Sequence, residues 1–129
     1  MKSLGKHLII ELYECDREII NDLEAVEHHI MESVRVSGAS IIKPYFHKFS
    51  PHGISGMVII AESHFSIHTW PEYGYCAVDI FTCGDLIQGD KAMNYLKEHF
   101  KCQNVSLMEI KRGVLDLPDA EIKHKPDQS

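Results

Sequence analysis

Ser63, His68 and Cys83 are the side chains of this 129-residue chain that are best suited by type and spacing to do chemistry. A serine hydroxyl becomes a nucleophile when a base lies near it, and histidine can accept a proton near neutral pH. A thiol that precedes a helix can serve as an acid, a base or a nucleophile. Trp70, on the same strand face as His68, offers a flat surface on which a ligand could stack. His68 and Trp70 together suggest a pocket wall with His68 as a general acid or base.

Each of these residues also has an ordinary structural interpretation. His68 and Trp70 could belong to a mixed, solvent-exposed strand face, and the spacing alone favours neither interpretation. A lone cysteine such as Cys83 is more often a small buried apolar residue. Ser63 could be a plain serine where one strand gives way to the next.

A metal site is an alternative, because His64 and His68 are four residues apart. On a helix this spacing would suggest zinc, but the β-branched and aromatic residues around them favour a strand, and no third ligand follows at metal spacing. We therefore expect no bound metal. The sequence also lacks the GxSxG turn of many hydrolases. Its GISG stretch at 53–56 is too short for a phosphate-binding loop and has no lysine.

The composition is that of one ordinary globular domain. Apolar residues make up 44% and charged residues 25% of the chain, as in soluble proteins. The net charge of −6 disfavours nucleic acid or an anionic membrane as the main partner, because both attract basic surfaces. No long apolar segment predicts a signal peptide or a membrane span. Four cysteines without a CxxC pair are typical of reduced thiols, so we expect a cytoplasmic protein.

Hydrophobic periodicity predicts six strands and two helices. The strands are expected at 4–13, 39–49, 56–61, 65–70, 75–81 and 105–111, the first helix between Asp16 as N-cap and Gly38 as C′ residue, and the second helix at 90–100. Pro44 lacks a backbone N–H and therefore predicts an edge strand or a bulge. Ser63 falls in the connection between the third and fourth strands.

The resulting order, β-α-β-β-β-β-α-β, predicts an α+β fold: a two-layer α/β sandwich, with a mostly antiparallel sheet and two helices on one face. Several strands carry apolar or aromatic residues on both faces, and two helices can cover only one of them. A second copy of the chain is the simplest cover for the other face, so we expect a homodimer. Residues 1–115 are expected to form a single domain, followed by a loose polar tail at 116–129.

Several short motifs together resemble one known family. They are KSLGKH at 2–7, FHKF at 46–49, GISG at 53–56, ESHFSIHTWPEYG at 62–74 and DIFTCG at 79–84. This combination is highly specific and extends over most of the chain. It is similar to the short prokaryotic form of S-adenosylmethionine decarboxylase, a pyruvoyl-dependent enzyme of spermidine biosynthesis.

The resemblance implies that the chain makes its own cofactor. In the family, the hydroxyl at the position of Ser63 attacks the carbonyl of Glu62, and the peptide bond becomes an ester. Elimination leaves dehydroalanine, which hydrolyses to a pyruvoyl group. The products would be a β chain of residues 1–62 and an α chain of residues 63–129. His68 matches the processing base, and Ser55 matches a residue that assists processing.

The resemblance also implies the substrate and its contacts. The pyruvoyl group forms a Schiff base with S-adenosylmethionine, CO₂ is lost, and Cys83 matches the proton donor. Phe49 and Trp70 match aromatic residues that hold the adenine, and Glu72 matches a carboxylate that holds the ribose hydroxyls. After cleavage, Glu62 would line the site. The family's short form pairs two processed chains, with the sites at or near their interface.

Two other functions remain open at this point. A pyruvoyl group could equally decarboxylate a basic amino acid such as ornithine or arginine, but Phe49, Trp70 and Glu72 favour a nucleoside substrate. A non-catalytic partner subunit would need none of the reactive residues, so the intact Glu62, Ser63, His68 and Cys83 argue against it.

Overall fold

The computed structural model describes residues 3–61, 63–83 and 87–116. The strands are β1 (Ser3–Tyr13), β2 (Ile41–Lys48), β3 (Ile54–Ile60), β4 (Ser63–Trp70), β5 (Tyr75–Thr82) and β6 (Asn104–Val114), and the helices are α1 (Leu23–Val36) and α2 (Gly89–His99). This is the predicted order of elements. Glu62 and the predicted tail from residue 117 onward lie outside the described residues.

All six strands form one sheet in the order β2-β3-β4-β5-β1-β6. Every neighbouring pair is antiparallel. The predicted α+β sandwich with a mostly antiparallel sheet is therefore confirmed. The central strand β4 carries Ser63, His68 and Trp70, and its neighbour β5 ends one residue before Cys83.

One face of the sheet packs against both helices. Alternate residues of β1, such as Leu8 and Ile10, are buried together with Val26 and Ile30 of α1 and Leu96 of α2. The period of two in the strand and of about 3.6 in the helix bring these side chains to a shared core. Each such side chain contributes roughly 1.5–3 kcal/mol when it is fully buried.

The start of α1 differs from the prediction. Asp16 does not cap α1: its Oδ1 accepts hydrogen bonds from the N–H groups of Glu18 and Ile19, both at 3.0 Å, at the start of a short 3-10 turn. Asp22 is the N-cap of α1 and accepts from Glu24 and Ala25 at 3.0 and 3.3 Å. Both aspartates are suitable N-cap residues. Asp22 directly precedes the regular helix and therefore satisfies the free N–H groups of the first turn of α1.

The end of α1 and the character of β2 agree with the prediction. Gly38, directly after the C-cap Ser37, has a φ of 89°, a conformation that a glycine adopts without strain. Pro44 lies in β2, which is an edge strand and has an irregular register between Ile41 and Lys43.

The predicted connection around Ser63 is too long. Ser63 and His64 already belong to β4, and Ser63 pairs with Ile60 of β3 and with Thr82 of β5. The pairing on both sides extends the strand to a residue that its own sequence neighbourhood marks as a break. Ser63 therefore lies inside the sheet rather than in a loop.

The face of the sheet opposite the helices, here called the open face, is rich in exposed apolar side chains. Tyr45, Met57, Ile59, Met108 and Ile110 are all exposed. Tyr45, Met57 and Ile59 lie on β2 and β3 at one edge of the sheet, and Met108 and Ile110 lie on β6 at the other edge. The expectation that a second copy covers this face remains a prediction. Within the described residues, no helix is long and apolar enough to cross a lipid bilayer.

Candidate active site

Ser63 has an unusual backbone conformation for a residue with a side chain. Its φ is 149°, in the region that non-glycine residues rarely adopt. Hydrogen bonding to the strands on either side holds the residue in this conformation. Strain of this kind is typically found at functional sites, where surrounding structure enforces it.

Cys83 lies next to Ser63 in space. Because Ser63 pairs with Thr82, the following residue, Cys83, comes close, and the Ser63 Oγ and Cys83 Sγ atoms are 3.6 Å apart. The Cys83 side chain is partly buried. Since α2 begins only at Gly89, Cys83 is not part of the first turn of that helix.

Ser55 and His68 form a second pair. They face each other across β3 and β4, and the Ser55 Oγ lies 2.8 Å from the His68 Nδ1. This distance is that of a hydrogen bond, whose donor depends on the histidine tautomer. The structure thus brings together the two residues that the resemblance associates with processing.

A cavity of about 260 Å³ lies beside the Ser55–His68 pair. It is lined by Phe49, His52, Gly53, Ile54, Ser55, His68, Thr69, Trp70 and Glu72. All three predicted substrate contacts, Phe49, Trp70 and Glu72, are therefore in one cavity. Phe49 and Trp70 are 49% and 39% exposed, which leaves aromatic surface available to a ligand.

Glu72 has a partner that the sequence analysis missed. The Nε2 of His52 lies 2.9 Å from the Glu72 Oε2. A hydrogen bond from its own backbone N–H lowers the pKa of the Glu72 carboxyl, and the contact with His52 lowers this pKa further. In the sequence His52 is only a polar residue in a predicted turn, and nothing there connects it with Glu72.

The loop that carries His52 is fixed at several points. The Phe49 N–H donates to the Gly53 carbonyl at 2.8 Å, and the Gly53 N–H donates to the Asn21 side chain at 3.0 Å. The following N–H, that of Ile54, donates to the Thr69 hydroxyl at 2.9 Å. Gly53 has a φ of 103°, so a side chain at this position would be strained.

The Ser63–Cys83 pair and the Ser55–His68 pair lie apart within one chain. Ser63 and His68 stand at opposite ends of β4. At roughly 3.3 Å per residue, their Cα atoms are about 16 Å apart. One chain therefore has Ser63 with Cys83 at one place and the cavity with Ser55 and His68 at another.

No metal centre accompanies these groups in the part of the chain that the structure describes. Within residues 3–61, 63–83 and 87–116, no three His, Cys, Asp or Glu side chains lie close enough together to hold a metal ion.

Comparisons with known proteins agree on one family. The sequence profile of S-adenosylmethionine decarboxylase matches residues 6–113. A relative from Acidithiobacillus ferrooxidans, named S-adenosylmethionine decarboxylase proenzyme, is 50% identical over 98% of this chain and 97% of its own length. A relative of the same name from Fervidobacterium nodosum is 51% identical over 90% of this chain and 85% of its own.

The fold leads to the same family. The crystal structure of the adenosylmethionine decarboxylase from Aquifex aeolicus matches with a TM-score of 0.82 and 33% identity, over 92% of this chain and 98% of that one. Sequence and fold therefore confirm the resemblance that the motifs suggested: the chain belongs to the S-adenosylmethionine decarboxylase family.

Proposed function

We propose that the chain is a proenzyme that cleaves itself between Glu62 and Ser63 and then decarboxylates S-adenosylmethionine. The observation that carries this proposal is the strained Ser63 beside Cys83, in a chain whose relatives are named proenzymes. Cleavage yields a β chain of residues 1–62 and an α chain of residues 63–129.

The cleavage chemistry balances with residues of the chain and water alone. The Ser63 hydroxyl attacks the carbonyl carbon of Glu62, the peptide C–N bond breaks, and an ester joins the two residues. Removal of the Ser63 α-proton expels the Glu62 carboxylate and leaves dehydroalanine. Water hydrolyses its imine form and releases ammonia, and residue 63 becomes a pyruvoyl group.

The surroundings of Ser63 fit such a group. The carbon that becomes the pyruvoyl ketone loses its tetrahedral geometry, which relieves the strain of a φ of 149°. The group, when present, supplies an electron sink for the electron pair that the departing CO₂ leaves behind. Cys83, whose Sγ is 3.6 Å from the Ser63 Oγ, holds the proton that the substrate carbon must then receive.

The cavity supports S-adenosylmethionine as the substrate. Phe49 and Trp70 present aromatic surface for the adenine, and Glu72 can accept hydrogen bonds from the ribose hydroxyls. Aromatic faces also attract the fixed positive charge of the sulfonium. A basic amino acid such as ornithine or arginine would use neither feature.

A second copy of the chain completes the site. A general base must lie within hydrogen-bond reach of the proton that it removes, yet His68 is about 16 Å along β4 from Ser63 of the same chain. A two-fold dimer through the open face would bring the cavity and His68 of one copy to Ser63 of the other, twice over. The exposed apolar residues Tyr45, Met57 and Met108 support this surface as the interface.

The cellular setting follows from the same proposal. Decarboxylated S-adenosylmethionine is the aminopropyl donor for spermidine, which makes the chain an enzyme of polyamine biosynthesis. All four cysteines are free thiols, which supports a reducing, cytoplasmic location.

Intact mass and CO₂ release test the proposed function together. The denatured protein should give two fragments divided after residue 62, with the second lighter by one ammonia than a peptide beginning with serine. The purified protein should release CO₂ from carboxyl-labelled S-adenosylmethionine and not from labelled ornithine or arginine. A single full-length mass, or release from a basic amino acid alone, would contradict the proposal.

A further inference from the structure

His52 and Glu72 meet at the side of the cavity that the proposed function assigns to the nucleoside. Their contact, His52 Nε2 to Glu72 Oε2, measures 2.9 Å, and both side chains line the same cavity as Phe49 and Trp70. The side chains are 39% and 36% exposed, so each is reachable by a ligand. Twenty residues separate them in the sequence.

The chemistry of the pair fixes the direction of the hydrogen bond. An ionised carboxylate can only accept hydrogen bonds. The Nε2 of His52 therefore carries a hydrogen and is the donor of the hydrogen bond to Glu72. A carboxylate offers about four acceptor positions, and His52 occupies one of them. The others remain for the hydroxyls of a ligand.

Both partners stand on fixed backbone. His52 belongs to the loop that the Phe49–Gly53 and Gly53–Asn21 hydrogen bonds hold in place. Glu72 belongs to the 3-10 turn Pro71–Tyr73, which ends at Gly74 with a φ of 62°. A long glutamate side chain loses rotamer freedom when it binds a ligand, and a donor on a rigid loop removes part of that freedom beforehand.

We propose that His52 is a positioning residue that orients the Glu72 carboxylate towards the ribose hydroxyls of the nucleoside substrate. This inference rests on the proposed substrate and extends it to a residue that the family motifs did not assign. His52 acts through Glu72 and takes no part in the reaction at Ser63. Its effect therefore concerns how tightly, and how selectively, a ribose is held.

Binding of two nucleosides isolates this effect. We would measure by calorimetry the dissociation constants of 5′-methylthioadenosine, which has the adenine and the ribose, and of its 2′,3′-dideoxy counterpart, which lacks both hydroxyls. The purified, processed protein would be compared with His52→Phe, which keeps a flat ring and loses the donor, and with His52→Gln, which keeps a side-chain N–H. His28→Phe, on the exposed face of α1, is the matched control.

We expect a loss of affinity only for the ligand that has both ribose hydroxyls. A hydrogen bond to a charged group corresponds to roughly a tenfold change in affinity. His52→Phe should weaken binding of methylthioadenosine by about that factor and leave the dideoxy compound unchanged. His52→Gln should recover most of the loss, and His28→Phe should match the wild type. In turnover, the His52→Phe defect should fall on KM rather than on kcat.

A second background tests whether His52 acts through Glu72. In Glu72→Gln, the added His52→Phe substitution should cause little further loss, because residues that act as a unit are not additive. Equal weakening of both ligands by His52→Phe, or full additivity with Glu72→Gln, would overturn the inference and leave the proposed function intact. A wild-type protein that binds the two nucleosides equally would overturn the ribose-binding role of Glu72 itself, and with it this inference.

Discussion

The Ser63 hydroxyl and the Cys83 thiol lie 3.6 Å apart, although twenty residues separate them in the sequence. The antiparallel pairing of β4 with β5 causes this proximity, because Ser63 is opposite Thr82. The two side chains have different proposed tasks: Ser63 becomes the cofactor, and Cys83 delivers a proton. Substitution of Ser63 should therefore block cleavage, whereas substitution of Cys83 should block turnover.

Ser63→Ala removes the nucleophile of the cleavage reaction. The variant should remain a single full-length chain on denaturing mass spectrometry and should lose decarboxylation by at least about a thousandfold, since no pyruvoyl group forms. Ser106→Ala, an exposed serine in β6, is the matched control and should be cleaved like the wild type. Cleavage after residue 62 in Ser63→Ala would disprove the proposed origin of the cofactor.

Cys83→Ala should separate cleavage from turnover. We expect the variant to be cleaved and to lose roughly 100-fold or more in kcat, because a positioned proton donor contributes on that order. Cys76→Ala removes a fully buried thiol of β5. It should lower stability by about 1 kcal/mol and leave kcat near the wild-type value. Cleavage is followed by mass, turnover by CO₂ release and stability by denaturant titration. A fully active Cys83→Ala would exclude Cys83 as the donor.

A mixture of two inactive variants tests the shared site. His68→Ala should accumulate uncleaved chain or an ester that hydroxylamine cuts at residue 63. When His68→Ala is co-expressed with Ser63→Ala, one site of each mixed dimer contains an intact Ser63 and an intact His68 from different copies. The His68→Ala chain should then be cleaved. If it stays full length in mixed dimers, His68 does not act on the other copy.

Stability should decline in mild acid because of His29. Burial lowers the pKa of His29 below the ordinary value of 6.5, and the neighbouring His99 and His28 lower it further. The His29 Nδ1 lies 3.1 Å from the Tyr95 hydroxyl, and its ring stacks on that of His99 at 5.0 Å. The folded state thus binds a proton less readily than the unfolded state, so the free energy of unfolding rises with pH through this range.

The measurement is the unfolding free energy from denaturant titration at a series of pH values. It should be largest above pH 6.5, the ordinary histidine value, and should fall as the pH is lowered through and below it. His29→Gln should make this dependence shallower. An unchanged slope in His29→Gln would mean that other groups cause the acid sensitivity.

Local patterns predicted most of the scaffold. The alternation of Leu8, Ile10 and Leu12 in β1 indicated a strand with one buried face, and all three are buried. Pro44 indicated an edge strand for a chemical reason, the missing N–H. Such features depend on neighbours in the sequence, and so the sequence alone suffices for them.

The misses depend on contacts between distant parts of the chain. Ser63 is a strand residue because β3 and β5 pair with it, which no local pattern records. His52 becomes a candidate site residue only through its contact with Glu72, twenty residues away in the sequence. Ser63 and His68 are close in the sequence, but an extended strand holds them about 16 Å apart.

The order of strands has a consequence for the cleaved protein. The part before residue 62 supplies β2, β3 and β1, and the part from residue 63 supplies β4, β5 and β6, so the strands of the two pieces interleave across one sheet. Buried residues of both pieces pack into the same hydrophobic core. The two pieces should remain interlocked after the peptide bond is gone, and pulling them apart should require unfolding both. Folding must come first and the cut second, and a separated pair of fragments should not reassemble as readily as the uncut chain folds.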